Sequence, residues 1–312
     1  MTDAAQLLEV GGDETGTRLD VFLAERLGLS RAQTRRLLAR GVVRVAGRDV
    51  GEDAKGVAVR AGEEIAVLPF TAPADQRVVP EPDAPLPVVA EGPGWLALDK
   101  PAGVPVHPLA EDETGTLANA LIARHPEMHG VGEGALRSGV VHRLDVGTSG
   151  VMLFAIREDV WQRLRAAFRE HRVEKTYRAV VRGRLEGGGE IRLPLLTARH
   201  RPAKVRVATE AEQERARGVR PARMEWTALE PFADATLLEV RPVTGFLHQI
   251  RAVFAHLGHP LLGDANYGGA DPEHGATRHM LHASRVAFEE IAGESPDAPD
   301  FAALLERLRS AP

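Results

Sequence analysis

The 312-residue chain has no cysteine. That excludes disulfides, thiolate nucleophiles and Cys-ligated zinc or iron–sulfur centres, and it fits a reducing compartment, with the cytoplasm as the expected location. Tyrosine is nearly missing too, with two in the chain. Long apolar runs are absent. VMLFAI at 151–156 is the longest, well short of the roughly 20 residues of a membrane-spanning helix. The opening MTDAAQLLEVGGDETG has neither a basic start nor an apolar stretch, so neither secretion nor membrane insertion is expected. A basic excess is also lacking, since 39 Lys and Arg face 44 Asp and Glu for a net charge of -5. That balance runs against a nucleic-acid partner unless the basic residues are concentrated locally. With 44% hydrophobic and 27% charged residues, the composition is that of a soluble globular chain of about two domains.

What is present begins with TRLDVFLAERLGLSRAQTRRLLARGVVRVAGRDV. Thr17 is placed to cap a helix whose Leu19, Phe22, Leu23 and Leu27 share one face and which Gly28 ends. Ser30 with Gln33 reads as the capping box of a second helix, closed by Gly41. VVRVAGRDV then reads as strand and turn, and GEEIAVLPF as a further strand. Arg31, Arg35, Arg36, Arg40, Arg44 and Arg48 occur here without an intervening acid. They form either a solvated surface or a phosphate-contacting face. The pattern over 17–68 resembles the S4-like RNA-binding domain.

Residues 69–87 carry six prolines and read as a semi-rigid linker. From 88 to 312, strand patterns recur at WLALDK, SGVVHRLD, VMLFAI, TYRAVVRG, VRVAT and TLLEVRPV, with helical patterns near 158–171 and 247–257. The expected fold is α+β: a mixed, largely antiparallel sheet with helices packed on it, preceded by the small S4-like α/β domain.

In HRLDVGTSGVMLFA, residues 142–155, Asp145 is expected at a strand end above a Gly-rich turn, where catalytic groups often sit. Taken alone it is better explained as a turn cap. The stretch, however, resembles the signature of the RluA family of RNA pseudouridine synthases: HRLD, two residues, TSG and an apolar strand. LDKPAGVPVHP (98–108), EKTYRAVVRG (174–183), HQIRAVFAHLGHPLLGDANYG (248–268) and LHASRVAF near the end extend the likeness.

The resemblance implies isomerisation of uridine in RNA to pseudouridine without cofactor or metal: the N1 glycosidic bond breaks, the base turns, and C5 joins the same sugar carbon. It implies Asp145 as the catalytic carboxylate, Arg251 as its cation and Tyr177 as a ring stacked on the target base. The uridine must be flipped out or already unpaired, and Arg143 is the family's candidate for the vacated space. His142, Lys100, His107, His248 and Gln249 are expected to border the substrate. Arg201 and Lys204, in TARHRPAKVRVA at 197–208, are expected on a second phosphate-contacting ribbon, or on a merely exposed hairpin. Where the family has Gly-Arg ahead of HQIR, this chain has Gly245, Phe246 and Leu247. The partner is then RNA, with 23S ribosomal RNA of the large subunit expected and transfer RNA as the alternative. The protein is expected to act as a monomer.

Rival readings rest on weaker patterns. Ser149 as a nucleophile with a histidine base lacks the spacing of a nucleophile elbow. His256 with His259, or His279 with His282, lacks a carboxylate at metal-ligand spacing. GVGEGALRSG has no Gly-Lys-Ser/Thr to complete a phosphate loop. A non-catalytic RNA-binding assembly factor would need only the basic N-terminal helices, and would have no use for a carboxylate facing RNA.

Overall fold

A computed structural model describes residues 4–200, 203–215 and 218–311. The chain divides after Arg77 into two compact units. In the first, an antiparallel sheet of order β1-β4-β2-β3 is built from β1 (Gln6–Glu9), β2 (Val43–Val45), β3 (Arg48–Val50) and β4 (Glu64–Val67). It packs with α1 (Leu19–Leu27) and α2 (Arg31–Ala39) around Phe22, Leu23, Leu38, Val43 and Ile65. Gly28 ends α1 at φ 65°. Ser30 and Gln33 form the capping box expected of α2. Thr17 is not the cap of α1: its carbonyl accepts from the Val59 amide, and Arg18 holds the capping position instead. The unit also starts before residue 17, because QLLE pairs with β4 as an edge strand.

The expected linker is only partly a linker. Val78 is buried in the second unit's core with Leu86 packed beside it, and Asn119 holds the Val79 carbonyl. Residues 78–87 are thus fastened to that unit by side-chain burial and backbone pairing.

The second unit is a ten-stranded sheet, β10-β9-β11-β12-β8-β13-β7-β6-β5, with β14 beside β13. Its strands are β5 (Val88–Gly92), β6 (Trp95–Lys100), β7 (Ser149–Ala155), β8 (Glu174–Arg182), β9 (Gly188–His200), β10 (Ala203–Val207), β11 (Arg220–Pro231), β12 (Ala235–Pro242), β13 (Leu281–Phe288) and β14 (Ile291–Glu294). Every ladder is antiparallel except β7 with β13, which run parallel through Ser149 and Gly150 beside His282 and Ala283. Gly150 is required there: at φ 111°, a β-carbon would lie 2.2 Å from the Ala283 carbonyl oxygen. Helices cover both faces. α3 (Leu117–Arg124) packs on Met152 and Phe154, and α4 (Glu158–Arg169) packs on Val151, Leu153 and Ala155. β7 is therefore buried on both sides, which accounts for its continuous apolar run. α5 is Glu210–Glu214. α6 (Gln249–His256) packs Ile250, Val253 and Phe254 against β8, β9, β11 and β12. α7 (Pro299–Ser310) covers the other face at Val180 and Leu237.

SGVVHRLD is not a strand. Val140 makes one isolated bridge to Phe154, and the Leu153 amide donates to His142 Nε2 rather than to a backbone carbonyl. The segment flanks the second half of β7, beyond the two residues that β13 pairs, and then leaves the sheet to form the loop that carries Asp145.

Candidate active site

The Asp145 loop is pinned from several directions. Lys100, fully buried, donates to the carbonyls of Pro101, Val104 and Val146 at 2.8, 2.9 and 3.0 Å. Thr148 Oγ1 lies 2.8 Å from His279 Nε2, and Arg278 donates to the Gly147 carbonyl and to Ser149 Oγ, both at 3.0 Å, while also gripping Asp300. A loop with so many fixed carbonyls holds its carboxylate in one place.

Arg251 projects from α6 and is buried, with 4% of its surface exposed. Its Nε and Nη2 bind the two oxygens of the buried Asp264 at 2.7 and 2.9 Å, and its Nη1 donates to Asp145 Oδ2 at 2.8 Å. Burial alone would lower the guanidinium pKa, but Asp264 and then Asp145 outweigh it and raise it, so Arg251 is a permanent cation. His248, at the start of α6, brings Nε2 to 3.8 Å from the same Asp145 oxygen. The other oxygen, Oδ1, has no hydrogen bond to any described residue.

These groups open onto a cleft of about 110 Å³ lined by Arg143, Asp145, Lys175, Tyr177, Phe246 and Arg251 among others. Tyr177 comes from β8, where it packs partly against the α6 core. Burial, and secondarily the Asp145 charge, push its hydroxyl up, so it stays neutral at physiological pH. Arg143 is exposed at the rim. Lys175, lowered to about 8 by burial, lies near the Val243 and Thr244 carbonyls and also borders a larger, open groove of about 1010 Å³. That groove is lined by paired charges, including Arg285 with Glu174 and Glu294.

The structure thus gathers Asp145, Tyr177, Arg251, Arg143, His248 and Gln249 around one cleft. Gln249 is tied up in the loop before α6, accepting from Thr244 and the Phe246 amide. Lys100, His142 and His107 are scaffold rather than cleft lining. All three donors of Lys100 are spent on carbonyls. His142 stacks on Phe168 at 4.5 Å and is kept neutral, lowered to about 3 by burial. His107 is buried against Arg137 and lowered to about 4, again chiefly by burial. Asp264, Tyr267 and Lys175 were not singled out from the sequence, although all three fall within the quoted motif segments.

Of the N-terminal arginines, Arg31 and Arg35 turn onto the buried Asp20, together with Arg18, and Arg44 pairs with Asp49. Arg36, Arg40 and Arg48 are exposed and make no ion pair with a described residue. Lys204 lies on β10 with its ammonium 5.6 Å from the Tyr267 ring. Arg201 lies outside the described residues.

The rival readings meet specific obstacles. Ser149 Oγ does sit 3.0 Å from His282 Nδ1, but both residues are buried and His282 Nε2 is directed at the Ser295 carbonyl, so no substrate reaches the pair. His279 Nε2 is engaged by Thr148, and both nitrogens of His282 are engaged by Ser149 and Ser295. His259 faces the Arg182 carbonyl.

The family model described as RNA pseudouridylate synthase matches residues 94–256, just over half of the chain. An uncharacterized RNA pseudouridine synthase of Chloroflexus aurantiacus is 38% identical, over 88% of this chain and 83% of its own length. A protein of Vibrio parahaemolyticus named ribosomal large subunit pseudouridine synthase D is 32% identical, over 96% of this chain and 93% of its own. The solved structure of human RNA pseudouridylate synthase domain containing 4 shares the fold, with a TM-score of 0.56 at 23% identity, over 72% of this chain and 93% of that one. With the family model and near full-length relatives in agreement, the chain belongs to the RNA pseudouridylate synthase family, enzymes that isomerise uridine within RNA.

Proposed function

We propose that this enzyme modifies ribosomal RNA of the large subunit and that Asp145 is its catalytic carboxylate. The observation that carries the second assignment is the unequal treatment of the two Asp145 oxygens. Oδ2 is held by Arg251 and approached by His248, whereas Oδ1 has no hydrogen bond to a described residue, and Asp145 lines the cleft. An ionised carboxylate oxygen so placed serves as nucleophile or as base. Attack on the sugar carbon, attack on the base and removal of a sugar proton all fit it. In each case the N1 glycosidic bond breaks, C5 bonds to the same carbon, the C5 hydrogen leaves and N1 gains one, so the isomerisation balances without a co-substrate.

Tyr177 offers its ring to the extruded base, a contact worth roughly 1–3 kcal/mol. Its raised hydroxyl pKa favours this stacking role over that of a phenolate base. Arg143, exposed at the rim, is suited to the gap that the uridine leaves in its stack.

The substrate reading is supported by relatives such as the Vibrio parahaemolyticus protein, whose name specifies the large ribosomal subunit. The N-terminal unit is read as an S4-like RNA-binding module, supported by its helix pair and by exposed Arg36, Arg40 and Arg48. Work on ribosomal RNA and the absence of cysteine both support action in the cytoplasm. The test is pseudouridine mapping of total RNA from cells lacking the gene, complemented with wild-type protein or with Asp145→Ala. Sites in large-subunit RNA restored by the wild type alone are the expected result. Sites confined to transfer RNA overturn the substrate, and restoration by Asp145→Ala overturns the carboxylate.

A further inference from the structure

Tyr267, the second of the two tyrosines, links the β9–β10 hairpin to the residues around Asp145. Its phenol oxygen accepts a hydrogen bond from the Val205 amide of β10 at 2.8 Å and lies 3.1 Å from His248 Nδ1. Its ring is 5.1 Å from the Arg251 guanidinium. Because the oxygen already accepts from Val205, its own hydrogen is the one available to His248 Nδ1. A neutral imidazole that accepts at Nδ1 carries its hydrogen on Nε2, and Nε2 is the atom facing Asp145 Oδ2 at 3.8 Å. The opposite tautomer would direct a lone pair at an anionic oxygen.

The backbone points the same way. His248 has φ 51°, a left-handed conformation that costs a residue with a β-carbon about 1–2 kcal/mol. Such an outlier persists only where its surroundings hold it, and here they bring one ring nitrogen to Tyr267 and the other towards Asp145.

We propose that Tyr267 is a positioning residue for the isomerisation: its hydroxyl fixes the His248 tautomer so that an N–H, and not a lone pair, faces Asp145, and it ties the β9–β10 hairpin to that arrangement. The proposal rests on the reading of Asp145 as the catalytic carboxylate. Tyr267→Phe keeps the ring over Arg251 and removes only the hydroxyl, so it isolates the effect.

The experiment uses the full chain labelled with ¹⁵N-histidine, with His248 assigned by comparison with His248→Gln, alongside steady-state kinetics on the mapped RNA substrate. The wild type is expected to show a bare Nδ1 and a protonated Nε2 at His248. Tyr267→Phe is expected to show mixed tautomers, with kcat lower by about tenfold, equivalent to about 1.4 kcal/mol, and KM within about twofold. A protonated Nδ1 in the wild type, or a Tyr267→Phe variant with unchanged kcat, overturns the proposal. The tautomer is read without turnover, so a fully active Asp145→Ala would sink the carboxylate's role while leaving the His248 spectrum to decide the Tyr267 contact on its own.

Discussion

Each unit of this protein contains a charge network centred on a buried ionic group, and these two are built in opposite senses. In the N-terminal unit the buried member is an acid: Asp20, with no exposed side-chain surface, is surrounded by Arg18, Arg31 and Arg35, whose side chains are 47, 54 and 36% exposed. Burial would raise its pKa, but hydrogen bonds from Arg18 and Arg35 more than offset this and lower it. In the second unit the central member is a base: buried Arg251 is shared between Asp264, which is 1% exposed, and Asp145, which is 21% exposed. Three donors on one acid saturate it and fasten α1 to α2. One donor shared by two acids satisfies the deeper one and leaves the other with an oxygen to spare. Which partner is central, and which is left short of hydrogen bonds, separates a staple from the site we propose as reactive even though the residue types are the same.

Arg251→Leu should have the largest effect. It leaves Asp264 buried without a cation, a situation that costs about 3–5 kcal/mol, and it should lower pseudouridine formation by at least about 10²-fold, as measured on the mapped RNA. Adding Asp264→Asn should recover stability in denaturant titration but not activity. If it recovers activity as well, the cation's value to Asp145 has been misjudged. Asp20→Asn comes next. Its arginines are exposed enough to be rehydrated, so the loss should be about 1.5–3 kcal/mol, the worth of hydrogen bonds to charged groups. Turnover on a short hairpin RNA should not change, and a fall in kcat there would break the contrast between staple and site.

Acid should also distinguish the units, because all twelve histidines lie after Arg77. His107 and His279 are lowered to about 4, and His142 to about 3, mainly by burial. Between pH 6.5 and 4 the unfolded chain binds protons at these sites that the folded chain refuses. Stability of the second unit should therefore be full above pH 6.5 and fall below it, by about 1.4 kcal/mol per pH unit for each such histidine. His142→Asn should flatten the slope measured by denaturation at several pH values, and an unaltered slope would remove His142 from the account. The smallest effect is expected from Arg36→Gln with Arg40→Gln. Stability should hold, RNA affinity should weaken, and the log–log salt dependence should lose about 0.9 per phosphate contact removed. Arg31→Gln with Arg35→Gln should instead lower stability.

Much of this was legible in the chain. The capping box at Ser30 and the glycine after Leu27 mark the two N-terminal helices, and the strand patterns of TYRAVVRG and TLLEVRPV mark two central strands. HRLD with TSG, and HQIR, singled out Asp145 and Arg251, which the fold brings within 2.8 Å across 106 residues. What was not legible depends on pairing between elements. Arg31 and Arg35 look like part of one basic run until the preceding helix supplies Asp20. SGVVHRLD has a strand's composition, but β13 and a histidine side chain occupy the edge of β7 that it would need. Asp264 stands thirteen residues after Arg251, a spacing with no helical or strand period, so nothing local joins them. Scarcity was the one missed signal: with only two tyrosines available, Tyr267 stood out as clearly as Tyr177.

The single parallel pairing, Ser149 and Gly150 beside His282 and Ala283, has a consequence in time as well as in space. It closes a loop of more than 130 residues, and contacts between such distant segments form slowly because the entropy of closing the loop is lost before any contact repays it. During synthesis, HRLDVGTSG emerges long before the strand that fixes its position. The loop that carries Asp145 therefore reaches its final geometry only after residues 281–283 have been made and have docked, so a partly made chain can fold its N-terminal unit before the residues around Asp145 are assembled.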